Sequence, residues 1–364
     1  MVRATAFADD LAIACAVGRN EGATAKVNTM LRIVNDWCAS VGLKLATEKT
    51  EVMFVTGMRV PLVVGLNLGD TVVDTVGAVK YLRVKIDSRR RFDGHIEAVC
   101  GKADILTGAL RGILPNINGP PNLARRLYYN VWESVVFYGA PVWADAVGRT
   151  KNKKIMKRAQ RTALSITTTA YRTVSHAALC VLTGNLPIYV KAKLLKETYD
   201  RIKNTRIGDG DDSALKEELE ALRRKAYDEW QKEWDAYKKE DITKKLVPCA
   251  FLFARKKVDI DHDTMQLLTG HGIFSSYRKR IGKDEDSRCL DCGDPNDDAE
   301  HVLFACSKWT DKRTELENCL GEKLDMDNLM YTATANDNAS YARKRTGREK
   351  ERQRKGEKEE LSPS

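Results

Sequence analysis

The sequence predicts an α+β fold, and three observations along its 364 residues support that class. Short apolar segments with the alternation of β-strands surround one amphipathic helix in the first 88 residues. From about residue 93 onward, apolar residues recur mainly at helical spacing. Cysteine and histidine residues then gather near residue 300, which predicts a small zinc-knuckle module. The length exceeds that of one ordinary domain, so we expect several units.

The first predicted element is a β-hairpin around two adjacent acids. In residues 4–16 the apolar runs ATAFA and LAIACA flank Asp9 and Asp10, which predicts strand, tight turn and strand in a buried hairpin. Because successive strand residues point to opposite faces, we expect one carboxylate on each side of the bend. Such a pair can hold magnesium, which prefers oxygen ligands. The alternative is a plain polar turn, since Asp is common in turns.

An amphipathic helix and several short strands complete the first predicted unit. The helix has one apolar face and ends at Gly42, where a left-handed residue is favoured. The apolar face contains Val27, Met30, Leu31, Val34, Trp37, Cys38 and Val41. The predicted strands lie at 43–46, 51–56, 61–68, 71–76 and 79–86. This mixture of short strands and one helix extends over residues 1–88.

Helices dominate the remainder of the chain. The apolar spacing predicts them over 92–114, 122–144, 154–167, 173–184 and 213–240. We expect the helix over 122–144 to pack through Leu127, Val131, Ser134 and Val135. The Gly-Asp run at 207–213 reads as a linker.

A Cys/His cluster carries the strongest chemical signal. Cys289, Cys292, His301 and Cys306 have the spacing C-x2-C-x8-H-x4-C. A C-x2-C turn places two thiolates on one side, and the later His and Cys can complete a tetrahedron around zinc. The alternative is four unconnected residues in a reducing compartment.

Basic residues predict a polyanionic partner. The chain has a formal charge of +10, from 61 Lys and Arg residues against 51 Asp and Glu. Ahead of the Cys/His cluster, His271, Phe274, Tyr277, Arg278, Lys279 and Arg280 combine rings with cations, which suits base stacking and phosphate contact. The alternative is a helix with a solvated cationic face. A basic tail at 342–360 has nine Lys and Arg residues against five Glu.

Composition also excludes some classes of protein. The sequence has no run of about 18 uncharged apolar residues, so it predicts no membrane span. No secretory signal is visible at the N-terminus. Nine cysteines without an even framework indicate a reducing, intracellular location.

Taken in order, the motifs resemble a known family. The aromatic-Ala-Asp-Asp arrangement at 7–10 resembles the palm motif of reverse transcriptases, and GLKLATEKTEVMF resembles the next palm motif of non-LTR (LINE-type) retrotransposon polymerases. VKYLRVKID resembles their primer-gripping hairpin. YGAPVWA, YRTVSHAALCVLTGNLPI and LLTGHGIFSSYRKRIG resemble the regions that follow. The likeness is to the Pol polyprotein of type-1 retrotransposable elements that insert into ribosomal DNA, from residue 4 to about 310.

The resemblance implies roles for individual residues. Asp9 and Asp10 would hold magnesium in an RNA-directed DNA polymerase, and Lys49 would lie near the incoming triphosphate and assist departure of pyrophosphate. Arg83 stands where the family has Gly, either damaging the hairpin or contacting a primer phosphate. The partners would be an RNA template and target DNA, and the location would be nuclear. No membrane partner is expected.

The resemblance also implies an organisation. We expect a partial reverse-transcriptase palm at 1–88, a helical thumb and connector at 89–206, a linker with a long helix at 207–240, a nucleic-acid-binding region with the zinc knuckle at 241–330, and a flexible basic tail at 331–364. The first palm Asp, the fingers and the endonuclease would lie upstream, so this chain alone would be inactive. The alternatives are a non-enzymatic, zinc-dependent nucleic-acid-binding remnant, or a purely structural helical protein.

Overall fold

The computed structural model describes residues 2–16, 22–57, 63–114, 119–207, 212–238, 241–255, 260–326 and 329. The chain divides into two compact units, Met1–Ala98 and Val99–Ser364. The predicted basic tail lies outside the described residues, as do residues 208–211 of the predicted linker. The protein is mixed α/β, with small antiparallel sheets and many helices, as the sequence predicts.

In its described residues, the first unit contains three two-stranded antiparallel sheets and one complete helix. The elements are β1 (Val2–Phe7), β2 (Asp10–Cys15), α1 (Gly22–Ser40), a 3₁₀ turn (Thr47–Lys49), β3 (Gly65–Leu68), β4 (Thr71–Asp74), β5 (Ala78–Tyr81) and β6 (Val84–Asp87). The prediction of strands at 43–46 and 51–56 is wrong. The first segment is irregular, and in the second only Val52 forms a bridge, with Thr75.

The core of the first unit forms where α1 packs on the β3–β4 hairpin. Val27 and Leu31 of the helix meet Leu66 and Leu68 of β3, all four buried. The predicted helix face is confirmed in its centre, but Trp37 and Val41 are exposed. The helix is followed by Gly42 at φ +74°, which confirms the predicted stop.

The second unit is mainly helical, and α2 (Asp93–Ile113) crosses the boundary between the units. The further helices are α3 (Asn122–Val136), α4 (Ala140–Trp143), α5 (Thr150–Thr167), α6 (His176–Thr183), α7 (Ile188–Ile207), α8 (Asp212–Asp235), α9 (Ile242–Leu246), α10 (Leu252–Arg255), α11 (His262–Thr269), α12 (Ser275–Arg280) and α13 (Thr310–Leu320). The sequence did not predict α7, which packs along α8.

Helix α3 buries a different face from the one predicted. Leu127 and Val131 are 65% and 52% exposed, and Ser134 is exposed as well. The opposite stripe of the helix, which contains Tyr129, Trp132 and Val136, packs into the core. The aromatic side chains on that stripe bury more apolar area than Leu and Val do, so they decide the orientation of the helix.

A buried polar network lies among α3, α5, α6 and α7. The Gln160 side-chain amide donates to the Tyr129 hydroxyl (2.9 Å) and to the Leu186 carbonyl (3.0 Å). Its oxygen accepts from the Ile188 amide (2.8 Å) and lies 2.7 Å from His176 Nε2. Because every polar atom of this amide has a partner, its burial costs little.

No single helix in the described part of the chain is long and apolar enough to cross a membrane; only α6 and α7 together, bent by 56°, reach that length and composition.

Candidate metal centre

The four predicted zinc ligands converge at one point in the second unit. The ligand atoms of Cys289, Cys292, His301 and Cys306 all lie within 4.8 Å of one another. The two buried thiols, Cys289 and Cys306, have their sulfur atoms 3.9 Å apart. The Cys292 sulfur lies 3.2 Å from His301 Nε2. Within the described residues, no other group of three or more His, Cys, Asp or Glu side chains is gathered in this way.

These distances fit a tetrahedral zinc site. With Zn–S bonds of about 2.3 Å and Zn–N bonds of about 2.0 Å, tetrahedral ligands stand about 3.8 Å apart for two sulfurs and about 3.5 Å for sulfur and nitrogen. The observed separations of 3.9 and 3.2 Å are close to both values. Three thiolates and one imidazole also form a donor set that zinc favours.

Local backbone geometry brings the ligands together. Gly293, at φ +79°, closes the C-x2-C turn, and its amide donates to the Cys289 carbonyl (2.9 Å). The Asp298 carboxylate accepts from the His301 amide (2.8 Å) and so caps the start of the π-helical turn His301–Ala305. The Cys306 amide then donates to the His301 carbonyl (2.8 Å), so this single turn positions the third and fourth ligands.

Burial and hydrogen bonding act differently on the thiols. Burial raises the pKa of Cys306 to about 12 and also raises the pKa of Cys289. At the exposed Cys292, a hydrogen bond from the Asp294 amide lowers the pKa of the thiol. Metal binding therefore has to displace protons from the two buried thiols, whereas the exposed thiol is the most readily ionised.

The aromatic residues ahead of the cluster form its hydrophobic support. Phe274 is fully buried and Tyr277 is 4% exposed, and both pack in one core with Cys289, Cys306 and Trp309. A ring that stacks on a base must present an open face. The prediction that Phe274 and Tyr277 stack on bases is therefore wrong for this structure, because the metal module uses both rings as its core.

The cations and histidine of this segment divide into two kinds. Arg278 is held in a two-point ion pair with Asp284 (2.5 and 2.7 Å), a structural contact. Lys279 and Arg280 are exposed at the end of α12, so they are the members of the predicted set that can reach a phosphate. His271 is not among the converging ligands, and its Nδ1 lies 2.6 Å from the Thr269 carbonyl.

Two further residues of this module were not predicted from the sequence. The Asp297 carboxylate, 1% exposed, accepts from the amide (2.9 Å) and the hydroxyl (3.0 Å) of Ser275 and so ties α12 to the metal loop. Trp309, 3% exposed, closes the core beside Cys306. For Trp309, the signal available in the sequence is its position three residues after the last ligand.

The paired acids lie at the tip of an exposed hairpin in the first unit. Phe7 pairs with Asp10, which leaves Ala8 and Asp9 as a two-residue turn, with Ala8 at φ 52°. The strand–turn–strand prediction is confirmed. The hairpin is exposed rather than buried, since every residue of β1 is exposed and β2 is at most half-buried. Among the described residues, no further acid joins Asp9 and Asp10 to form a cluster of three.

Lys49 and Arg83 occupy turns of the same unit. Lys49 is exposed at the end of its 3₁₀ turn, and within the described residues it makes no ion pair with Asp9 or Asp10. Arg83 follows Leu82 in the two-residue turn of the β5–β6 hairpin, and both have positive φ (67° and 43°). This conformation favours glycine and asparagine, so Arg83 is strained there.

Comparison with known proteins finds similarity to proteins of type-1 retrotransposable elements. The chain is 30% identical over 325 residues to the 115 kDa protein in type-1 retrotransposable element R1DM of Drosophila melanogaster, covering 85% of this chain and 31% of that protein. It is 27% identical over 331 residues to the Retrovirus-related Pol polyprotein from type-1 retrotransposable element R1 of Bradysia coprophila (86% and 32%). For the R1 2 polyprotein of Nasonia vitripennis, identity is 26% over 327 residues (85% and 78%).

The chain is thus a relative of the Pol polyproteins of type-1 (R1) retrotransposable elements, as the ordered motifs predict. It spans about a third of the length of the first two relatives. No family model matches the chain, and no solved structure matches it.

Proposed function

We propose that this chain supplies the Cys/His nucleic-acid-binding module, and part of the polymerase palm, of an R1-type Pol polyprotein. In the intact protein the reaction would be RNA-directed DNA synthesis on an element RNA at nicked target DNA, with an associated endonuclease. The observation that carries the proposal is the convergence of four ligand atoms within 4.8 Å in a relative of R1 Pol polyproteins.

The metal module would act by presenting cations on a rigid support. Cys289, Cys292, His301 and Cys306 would hold zinc, whose role is structural because all four positions are filled by protein ligands. Metal binding would fix the loop against the core that contains Phe274 and Tyr277. Lys279 and Arg280 on α12 would then face the phosphates of RNA or target DNA.

The hairpin would contribute to the polymerase site. Asp9 and Asp10 would hold magnesium, which supplies charge neutralisation and alignment for phosphoryl transfer when it is bound. Lys49 would assist departure of pyrophosphate. Because the described residues bring no third acid to these two, we propose that the complete site needs a further carboxylate and that this chain alone does not polymerise.

Zinc content and nucleic-acid affinity test the metal module together. We expect the full chain to bind a single zinc ion and to lose affinity for labelled RNA and DNA when zinc is removed with EDTA. Cys292→Ser changes an exposed ligand, so the fold tolerates it while zinc affinity falls by at least about 100-fold, since even loss of a partner outside the ligand set costs 10- to 100-fold. Cys319→Ser, also exposed and remote from the cluster in sequence, is the control and retains zinc.

Two results would contradict the proposal. One is a chain that binds no zinc under reducing conditions. The other is nucleic-acid affinity that is unchanged by EDTA and by Cys292→Ser.

A polymerase assay separates the palm proposal from its alternative. The alternative is a non-enzymatic remnant of such an element. It is supported if nucleic-acid binding depends on zinc but no longer form with an upstream segment adds nucleotides. Magnesium-dependent, template-directed addition by a longer form, lost in Asp9→Asn, supports the polymerase. Because this synthesis would take place at chromosomal target DNA, we also propose a nuclear location, which microscopy of a tagged chain tests.

A further inference from the structure

The positive charge of this protein is concentrated in one segment of the second unit. No Asp or Glu occurs between Asp145 and Glu197, a stretch that contains eleven Lys and Arg residues. Eight of them lie within residues 149–172, on and around α5. The formal charge of the whole chain is +10, so this short segment accounts for most of the surplus.

Acids outside this segment form ion pairs with four of its lysines. The ion pairs are Lys153–Glu233 (3.2 Å), Lys191–Glu133, Lys193–Glu229 (3.2 Å) and Lys196–Asp145 (2.6 Å). Three of the four lysines lie on α7, and the fourth lies on the side of α5 that faces α8. The outer face of α5 receives none of these acids.

The outer face of α5 presents three exposed cations in a line. Lys151, Lys154 and Arg158 follow the i, i+3, i+7 spacing of one helix face. Arg161, further along the same face, is half-buried and donates from Nε to the Val174 carbonyl (2.9 Å), so it serves the fold. In the part of the chain that the structure describes, Lys154 and Arg158 form no ion pair. We call Lys151, Lys154 and Arg158 the α5 face.

A half-buried histidine on α6 lies close to the cations of α5. Burial is the main cause that lowers the pKa of His176 to about 3, and the nearby Lys157, Arg161 and Lys153 lower it further. Helix α8 shows the contrast, since it has five Lys and Arg residues against eight Asp and Glu. The excess positive potential is therefore local to α5 and is not spread over the helical unit.

We propose that the α5 face binds the phosphate backbone of double-stranded nucleic acid, as a second contact surface distinct from the metal module. The inference rests on the proposed function for its nucleic-acid partner. From Lys151 to Arg158 the face runs about 10 Å along the helix, which matches about three nucleotide steps of one strand. Lys and Arg are the side chains whose charge neutralises phosphates.

The composition of α5 favours a duplex over a single strand. Proteins that bind single strands combine cations with exposed aromatic rings on which bases stack. Helix α5 contains no aromatic residue, so the face offers phosphate contacts and no stacking platform. Contacts of this kind position a duplex without reading its sequence.

The test is duplex affinity of a double variant of the full chain. Lys154→Gln with Arg158→Gln removes two exposed charges and keeps side chains that suit a helix. The control, Lys216→Gln with Arg224→Gln, removes the same charge from exposed positions on α8. We expect Kd for a labelled duplex to rise roughly tenfold in the first variant, and the slope of log Kd against log salt to fall by about two. The control is expected to stay near the wild type.

The outcomes distinguish this inference from the proposed function. If the wild type binds a duplex and the α5 variant has the same Kd and salt slope, or if the control loses as much affinity, the inference is wrong and the metal module stands. If the α5 variant loses duplex affinity while Cys292→Ser does not, the inference holds and the metal-module proposal is wrong. Loss of single-strand affinity alone would also overturn the inference.

Discussion

The phenol oxygen of Tyr277 lies 2.8 Å from the hydroxyl of Thr173, and this contact joins the metal module to the loop ahead of α6. The Tyr277 ring also lies 4.7 Å from the His271 ring and 6.0 Å from the Tyr171 ring. The sequence alone predicts that Tyr277 contacts nucleic acid. These contacts instead make its side chain part of the packed core.

Two substitutions of Tyr277 therefore have different expected costs. Tyr277→Phe keeps the packed ring and loses one hydrogen bond, so the free energy of unfolding falls by about 1 kcal/mol. Tyr277→Ala empties the ring site and costs about 3–5 kcal/mol. Urea denaturation measures both, with the half-exposed Tyr199→Ala as a control expected to cost less than about 0.5 kcal/mol. Unchanged stability in Tyr277→Phe combined with lost RNA binding would instead favour stacking.

Gly184 tests the connection after α6. It ends that helix at φ +68°, and an added Cβ would lie 2.5 Å from the Ala254 nitrogen. Gly184→Ala is therefore expected to cost about 3 kcal/mol or more, from backbone strain and from a clash that neighbouring backbone cannot relieve. Gly148→Ala is the matched control because an added Cβ there meets no atom within 4 Å. Thermal unfolding that places the two variants at the same midpoint contradicts this account.

Arg83 tests the strain in the β5–β6 turn. Arg83→Gly relieves a positive φ at the cost of greater freedom in the unfolded chain, so we expect a net gain of roughly 0.5–1 kcal/mol. Hydrogen exchange over residues 78–87 reports the local stability of this hairpin. Arg89→Gly is the control, since Arg89 does not have a positive φ, and it is expected to bring no gain. Faster exchange in Arg83→Gly would show that the arginine side chain stabilises the turn.

The buried network around Gln160 predicts a dependence of stability on pH. The folded-state pKa of His176, about 3, lies below its ordinary value of 6.5, mainly because of burial. Below pH 6.5 the unfolded chain therefore binds a proton at His176 that the folded chain does not bind. The contribution of His176 to the free energy of unfolding is fully present above pH 6.5 and is lost as pH falls toward 3. We expect His176 to contribute a loss of about 1–2 kcal/mol between pH 6.5 and 5.

The variant His176→Gln separates this effect from other titrations. Glutamine keeps a polar group near Gln160 but does not titrate, so the decline of the unfolding free energy over this pH range is expected to be shallower than in the wild type. His301→Gln, at a metal ligand, is not a suitable substitute. Parallel pH profiles for His176→Gln and wild type would rule out this role of His176.

Local patterns in the sequence determined the elements whose signals are local. The β1–β2 hairpin, the stop of α1 at Gly42 and the long helix α8 follow from alternation, turn chemistry and helical period. The four metal ligands were also predictable, because ligand type and spacing are written in the chain. The ordered motifs predicted the R1 Pol relationship that the comparisons support.

Tertiary structure decided which faces of these elements are used. The stripe of α3 with Leu127 and Val131 and the rings of Phe274 and Tyr277 have the same local pattern whether they face core or solvent. Only packing against distant residues, such as Trp309 beside the metal ligands, assigns a side. Likewise, the charge of α5 is visible in the sequence, but which cations stay unneutralised depends on acids such as Glu233, brought near by folding. Burial and charge compensation are sums over neighbours in space, and a linear sequence does not contain those neighbours.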